Sequence, residues 1–314
     1  MRNVMWVAVA ALVCSLSIGV QSQQPASPGP SWAFPVVDGK VAPEPPGPKS
    51  VPGSTKTYTP EQIDDLLNPP DWFPDTHKPA PSIVQKGHGA ALACGSCHLM
   101  NGAGHPESSE MTGLTADYIV QQMADFRSGA RRDYARMNAI AKETSDEEVK
   151  QAAEWFAALA PARTGRVVEA AMVPRTFVGQ GRMRFVQPDG ATEPIGARII
   201  TVPEDQERAR LRDPNSGFTS YVPVGAIGRG KALVETGGAG KTIACSLCHG
   251  EGLKGLGNVP GLTGGHPIYT ARQLYLFKDG RRNGVDAQLM KKAVAQLTDQ
   301  DIVDIAAYLA SLAP

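Results

Sequence analysis

The chain has 314 residues and no net formal charge, with 31 Lys and Arg against 31 Asp and Glu. That length leaves room for two or three domains, and the lack of a basic block excludes a nucleic-acid binder. Charge is still uneven: Lys plus Arg against Asp plus Glu is 4 to 7 over residues 23–81, 7 to 10 over 82–160, 9 to 7 over 161–228 and 10 to 7 over 229–314.

The chain opens with Arg2 and an apolar run from Val4 to Ile18, and Val20-Gln21-Ser22 has the residue spacing of a cleavage site. Residues 1–22 therefore read as an export signal cleaved near Ser22, with an uncleaved membrane anchor as the alternative. The run is short for a full span, which takes about 20 residues. Residues 23–81 form a Pro-rich strap, as in Pro43-Glu44-Pro45-Pro46-Gly47-Pro48. Up to residue 60, such composition supplies no packed core and favours extended chain. Within it, Thr59 as N-cap and Pro60 at the first helical position predict a short helix over 59–67, stopped by Pro69-Pro70.

Two pentads follow, Cys94-Gly95-Ser96-Cys97-His98 and Cys245-Ser246-Leu247-Cys248-His249. Cys-x-x-Cys-His reads as a c-type haem attachment site. Two thiols on one helical turn can each form a thioether to a haem vinyl group, and the adjacent histidine supplies a ligand to iron. The fifth cysteine, Cys14, lies in the N-terminal run, so a processed chain keeps none for a disulfide or a nucleophile. Zinc fits poorly, because the cysteine pairs stand about 150 residues apart and each has its own trailing histidine.

The pentads belong to an internal repeat. An offset of 151 pairs Cys94 with Cys245, Tyr118 with Tyr269, Phe126 with Phe277 and Gly129 with Gly280. After a two-residue insertion, an offset of 153 pairs Met137 with Met290, Ser145 with Thr298 and Trp155 with Tyr308. Each copy should hold a middle helix, near 116–127 and 267–278, and a capped last helix. The last helices open at Ser145 and Thr298 and carry one apolar face, Val149, Ala152, Ala153, Phe156 and Ile302, Ile305, Ala306, Leu309. A helix near 228–235 precedes the second pentad. Residues 163–228 match neither copy. There, Phe177–Val186 and Ile195–Val202 flank Pro188-Asp189-Gly190 and predict a β-hairpin, then a polar stretch over 204–213.

An iron that shuttles electrons without binding substrate needs a sixth ligand. In the second copy Met290 is the one methionine after the pentad; in the first copy Met100, Met111, Met123 and Met137 compete. The repeat selects Met137, which stands as far before Ser145 as Met290 before Thr298. Met100 lies too close to His98 to reach the opposite face, and Met123 reads as core packing of the middle helix. Arg131-Arg132 and Arg281-Arg282 could neutralise haem propionates or sit in solvent.

Pentad, middle helix, methionine and capped last helix, twice over, resemble the tandem two-haem class I cytochromes c of the cytochrome c4 group, and Gly261-Leu262-Thr263-Gly264-Gly265-His266-Pro267 is especially similar. The resemblance covers about 82–160 and 229–314. It implies a mostly α fold with two class I cytochrome c domains, 82–162 and 229–314, joined by the 163–228 insertion. It implies two covalent haems at Cys94, Cys97, Cys245 and Cys248, with axial pairs His98/Met137 and His249/Met290. It also implies a proline carbonyl orienting each ligand histidine, carried to Pro260 and to Pro106. Because c-type haem is attached outside the cytoplasm, it implies a periplasmic protein. The expected role is electron transfer between redox proteins, such as a membrane oxidase, reductase or dehydrogenase, without catalysis. The alternatives are a two-haem peroxidase or thiosulfate-oxidising enzyme, or a cytochrome subunit of a dehydrogenase complex.

Overall fold

A computed structural model describes residues 29–37, 45–161 and 165–314. The expected export signal, with Cys14 and the cleavage site near Ser22, lies outside the described residues, as do 23–28, 38–44 and 162–164 of the strap and the linker.

The strap is more than a tether. Trp32, Ala33 and Phe34 wedge between the two halves of the molecule, where the Phe34 ring meets Tyr134 edge-on at 5.4 Å and Tyr275 at 6.2 Å. Proline excludes regular hydrogen-bonded structure but does not stop Phe34 from being buried and Trp32 from packing half-buried beside it. Helix α1 (Pro60–Asp64) opens at Thr59 with a capping box to Gln62. It ends before the expected Leu67, because the Asp65 carboxylate turns back to accept from Leu67 N–H at 2.8 Å.

The first domain contains α2 (Ser82–Gln85), α3 (Gly95–His98), α4 (Ala116–Ser128), α5 (Met137–Glu143) and α6 (Asp146–Ala157). Gly129, at φ 80, closes α4, and a Ser145–Glu148 capping box opens α6. The second domain repeats the order with α8 (Ala226–Thr236), α9 (Ser246–His249), α10 (Pro267–Lys278), α11 (Gln288–Val294) and α12 (Asp299–Ser311), after a short α7 (Gln206–Arg210) in the insertion. The Thr298–Asp301 box is reciprocal although aspartate replaces the longer glutamate. Helices α8 and α12 cross at Gly230, where an added Cβ would stand 1.9 Å from the Asp304 carbonyl oxygen. The buried Asp304 carboxylate accepts a fork from Arg229 at 2.8 and 2.9 Å. In the first domain α2 is too short for such a crossing. There the strap takes its place: Trp155 Nε1–H donates to Lys78 O at 3.0 Å and its ring meets His77.

The insertion differs from the predicted single hairpin. Its strands are β1 (Gly165–Glu169), β2 (Met172–Pro174), β3 (Thr176–Val178), β4 (Arg184–Val186), β5 (Thr192–Pro194), β6 (Ile200–Pro203) and β7 (Phe218–Val222). The segments on either side of Pro188-Asp189-Gly190 do not pair with each other. Instead β4 turns back on β3, β5 pairs with β2, and β6 joins a sheet of order β1-β7-β6. The β1–β7 pairing is parallel, from Gly165↔Phe218 to Glu169↔Val222, which a local turn cannot announce. The polar stretch over 204–213 folds through α7 onto the strap, where Trp72 Nε1–H donates to Leu211 O at 2.8 Å.

The two domains pair through equivalent segments. Arg131 and Arg282 form an isolated antiparallel bridge, flanked by Arg132 N–H to Arg281 O at 2.7 Å and Asn283 N–H to Ala130 O at 2.8 Å. This join lies at one offset of 151, so it is an approximate two-fold contact between repeats.

Candidate functional site

Each pentad is one helical turn hung from the helix before it. Cys94 N–H donates to Ile83 O at 3.0 Å and Cys245 N–H to Val234 O at 2.9 Å. His98 N–H then donates to Cys94 O at 3.0 Å, and His249 N–H to Cys245 O at 2.9 Å, so both thiols of each pentad share a turn with the histidine. Burial pushes the Cys94 thiol up to about 12 and the Cys245 thiol up to about 11. These two thiols are neutral in their apolar surroundings.

The histidines are oriented from behind. His249 Nδ1 lies 2.7 Å from Pro260 O, and His98 Nδ1 lies 2.8 Å from Ser109 O. A ring N–H donating to a carbonyl settles the tautomer and leaves the Nε2 lone pair for a metal. Burial also holds both imidazoles below their ordinary pKa, which favours the neutral form that ligates. Pro106 does not have the expected role. Its carbonyl turns away from His98 and accepts from the Arg272 guanidinium. The repeat offset places Ser109, not Pro106, opposite Pro260; a carbonyl needs no proline ring to accept, so position and not residue type carried the signal.

One cavity of about 1380 Å³ runs between the domains and is lined by Cys97, His98 and Met137 on one side and by Cys248, His249 and Met290 on the other. A pocket of about 60 Å³ continues behind the first pentad, lined by Cys94, Met111, Met123 and Met137. Met100 is excluded, because it is buried under α3 against Gly95. Met123 lies on the same face of α4 as the buried Ile119 and Phe126. All three line the cavity, and Ile119 and Met123 also line the smaller pocket. His77 and His88 lie away from the cavity, bound to Asp71 and Glu148; His105 and His266 line it.

The domain interface tests the fit of a dianionic porphyrin. Arg131 and Arg282 are both buried there and stack over Phe126 and Phe277. Arg131 donates to Gln122 at 2.8 Å, Gln273 at 2.9 Å and Tyr269 at 3.1 Å, and Arg282 to Gln122 at 3.0 Å, Gln273 at 3.1 Å and Tyr118 at 3.2 Å. Every acceptor named there is neutral, and Arg131 Nε is buried with no partner. Two buried cations beside one cavity, unmatched by carboxylates within this network, leave a charge debt that carboxylates of a bound group would cancel. Haem propionates fit it. Of the neighbouring arginines, Arg132 is exposed and Arg281 pairs with Asp279 at 2.8 Å. The network's Gln122, Gln273, Tyr118 and Tyr269 all lie at the 151 offset, the signal that would have found them in the sequence.

The cytochrome c family profile matches residues 227–313. Cytochrome c-554(548) of Halomonas halodenitrificans is 40% identical over 75 residues, covering 24% of this chain and 90% of that protein. Cytochrome c4 of Pseudomonas aeruginosa is 24% identical over 231 residues, covering 72% of this chain and 87% of that protein. A thiosulfate dehydrogenase electron acceptor of Thiomonas intermedia is 26% identical over 226 residues, covering 70% and 79%. Two haem-attachment pentads in paired helical domains, with neutral histidines aimed into a shared cavity, agree with these likenesses, and the chain belongs to the cytochrome c family as a two-haem, cytochrome c4-like member that holds haem c covalently.

Proposed function

We propose that this chain is a periplasmic electron carrier in which His98/Met137 and His249/Met290 are the axial pairs of two closed irons. The observation that carries the reading is the matched geometry of the repeats. Each His Nδ1 is tied to a carbonyl, each Nε2 is free, and a methionine at the same repeat position lines the same cavity. Bound haem supplies one-electron chemistry at iron. The thiols of Cys94, Cys97, Cys245 and Cys248 tether it, and the carbonyls of Ser109 and Pro260 hold the imidazoles in one orientation. The buried arginines counter propionate charge, and the apolar cavity walls exclude water. Since thioether sulfur is a soft, weak donor, it favours the ferrous state and raises the potential. Likeness to a thiosulfate dehydrogenase electron acceptor favours a dehydrogenase as one redox partner. Among the described residues no helix is long and apolar enough to cross a membrane.

The test is carbon monoxide binding by reduced protein at neutral pH, with the weak sulfur-to-ferric-iron absorption in the far red. The unaltered protein should bind poorly, and Met137→Ala or Met290→Ala should each open one haem and halve the absorption. Rapid, stoichiometric binding by the unaltered protein would instead support the enzyme reading. Loss of half the absorption in Met123→Ala but none in Met137→Ala would move the first ligand to α4.

A further inference from the structure

The two methionines proposed as ligands sit in segments that are held differently. In the first repeat Asp133 Oδ2 accepts from the N–H groups of Ala135, Arg136 and Met137 at 2.9, 2.7 and 3.1 Å. Asp133 N–H donates to Asn138 Oδ1 at 2.7 Å, and Asn138 Nδ2–H donates to Phe126 O at 2.7 Å and to Arg131 O at 2.8 Å. Met137 thus lies between two side chains that tie its backbone to the last turn of α4 and to the domain interface. At the 151 offset Gly284 stands in the place of Asp133 and has no side chain to accept. An added Cβ there would lie 2.1 Å from Asp125 Oδ2 of the first domain, so the join of the two repeats crowds out the same carboxylate. The turn before Met290 is held instead by a neutral amide: Gln288 Nε2–H donates to Gly284 O at 3.0 Å and to Asn283 O at 3.2 Å.

Asp133 also lines the cavity together with His98 and Met137. Its charge is felt at the His98 imidazole, where it opposes that of Arg131. Methionine has three rotatable bonds and a weakly donating sulfur, so the ligand is only as well fixed as its backbone. A carboxylate holds N–H groups more strongly than a neutral acceptor does. Its negative charge also favours ferric iron, which carries one positive charge more than ferrous iron. Taking His98/Met137 ligation as given, we infer that Asp133 is a positioning residue for the first haem alone: it fixes the Met137 backbone so that the thioether stays on iron, and its charge lowers that haem's potential. With glycine at the matching position, the repeat builds two unlike electron sites from one pattern.

Two substitutions in the full-length holoprotein separate the roles, the first haem being the one altered in Met137→Ala. In Asp133→Asn the amide oxygen still accepts from the three N–H groups, and the charge is gone. The far-red sulfur-to-iron absorption should stay whole, and a redox titration should show the first haem moved to higher potential with the second unmoved. In Asp133→Ala the acceptor is lost as well. Up to half of the far-red absorption should disappear, and carbon monoxide occupancy of the reduced protein should rise toward one haem of the two. A potential unchanged in Asp133→Asn, or moved equally at both haems, overturns the inference. So does an Asp133→Ala protein whose absorption and carbon monoxide binding match those of the unaltered chain. Met137→Ala, measured beside them, keeps this failure apart from failure of the ligation reading. If it leaves the far-red absorption whole, the ligand lies elsewhere and both fall; if it halves the absorption while the Asp133 variants change nothing, the positioning role falls alone.

Discussion

Arg272 shows how one side chain links the two haem sites. It projects from α10 of the second domain, fully buried, and ion-pairs with the equally buried Glu107 of the first. It also donates to Pro106 O, to Tyr134 Oη at 3.2 Å and to Ala33 O of the strap at 3.3 Å. The loop so held carries Ser109, whose carbonyl orients His98. In the reverse direction, among the described residues, the loop before Pro260 is tied to the first domain by Thr115 Oγ1–H to Asn258 Oδ1 at 2.9 Å, at the surface. The first haem's ligand is therefore braced across the interface and the second's hardly at all. Arg272→Met should strand the Glu107 carboxylate and cost about 3–5 kcal/mol, as broken buried pairs do. Adding Glu107→Leu should recover most of that loss in denaturant titrations. If the brace is real, the single change also shifts the potential of the first haem alone. Equal shifts at both haems would mean general loosening.

At the level of elements, the second domain relies on the α8–α12 crossing and the first on the strap. Gly230 permits the crossing because any Cβ there meets backbone, which cannot swing aside as a side-chain tip can. Gly230→Ala should lower stability by about 2–3 kcal/mol, the upper part of the overpacking range. The loss should be visible as a lower Tm and as earlier exposure of the second haem than the first. The capping boxes of α6 and α12 follow from local chemistry and stand where Ser145 and Thr298 place them. The strands of the insertion do not, because the partner of β1 is β7, 53 residues along the chain. A turn signal such as Pro188-Asp189-Gly190 marks a reversal but not which strands pair across it.

For the molecule as a whole, burial at the junction of both domains and the insertion makes stability depend on acid. His266 is buried beside Phe218, Arg272 and His105, and desolvation followed by the Arg272 charge drops its pKa to about 4. Desolvation followed by the Arg212 charge puts His105 well below its ordinary value. Both groups fold neutral, so the unfolded chain binds more protons once pH falls below about 6.5. Their stabilising contribution is complete above that pH and is lost as pH falls toward about 4, by up to roughly 3 kcal/mol for His266 alone. Denaturant midpoints should therefore drop between pH 7 and pH 4.5, and His266→Phe should flatten part of that fall. An unchanged slope in the variant would place the acid sensitivity elsewhere.

The haem pentads, the repeat, the middle helices and the capped last helices were all legible in the residues, because each is a local pattern or a pattern repeated at a near-constant offset. Had the offset been applied strictly, it would also have reached Ser109 and the Arg131–Arg282 network. What no local pattern held was where the strap and the insertion lie. Their folding on the first repeat depends on Trp72 meeting Leu211 and on Arg212 reaching Ile63 and Ser96, contacts between segments more than 100 residues apart. Such contacts form only where the whole chain lowers its exposed apolar surface, so tertiary structure alone decided that two nearly equivalent haem domains would present one covered face and one bare one.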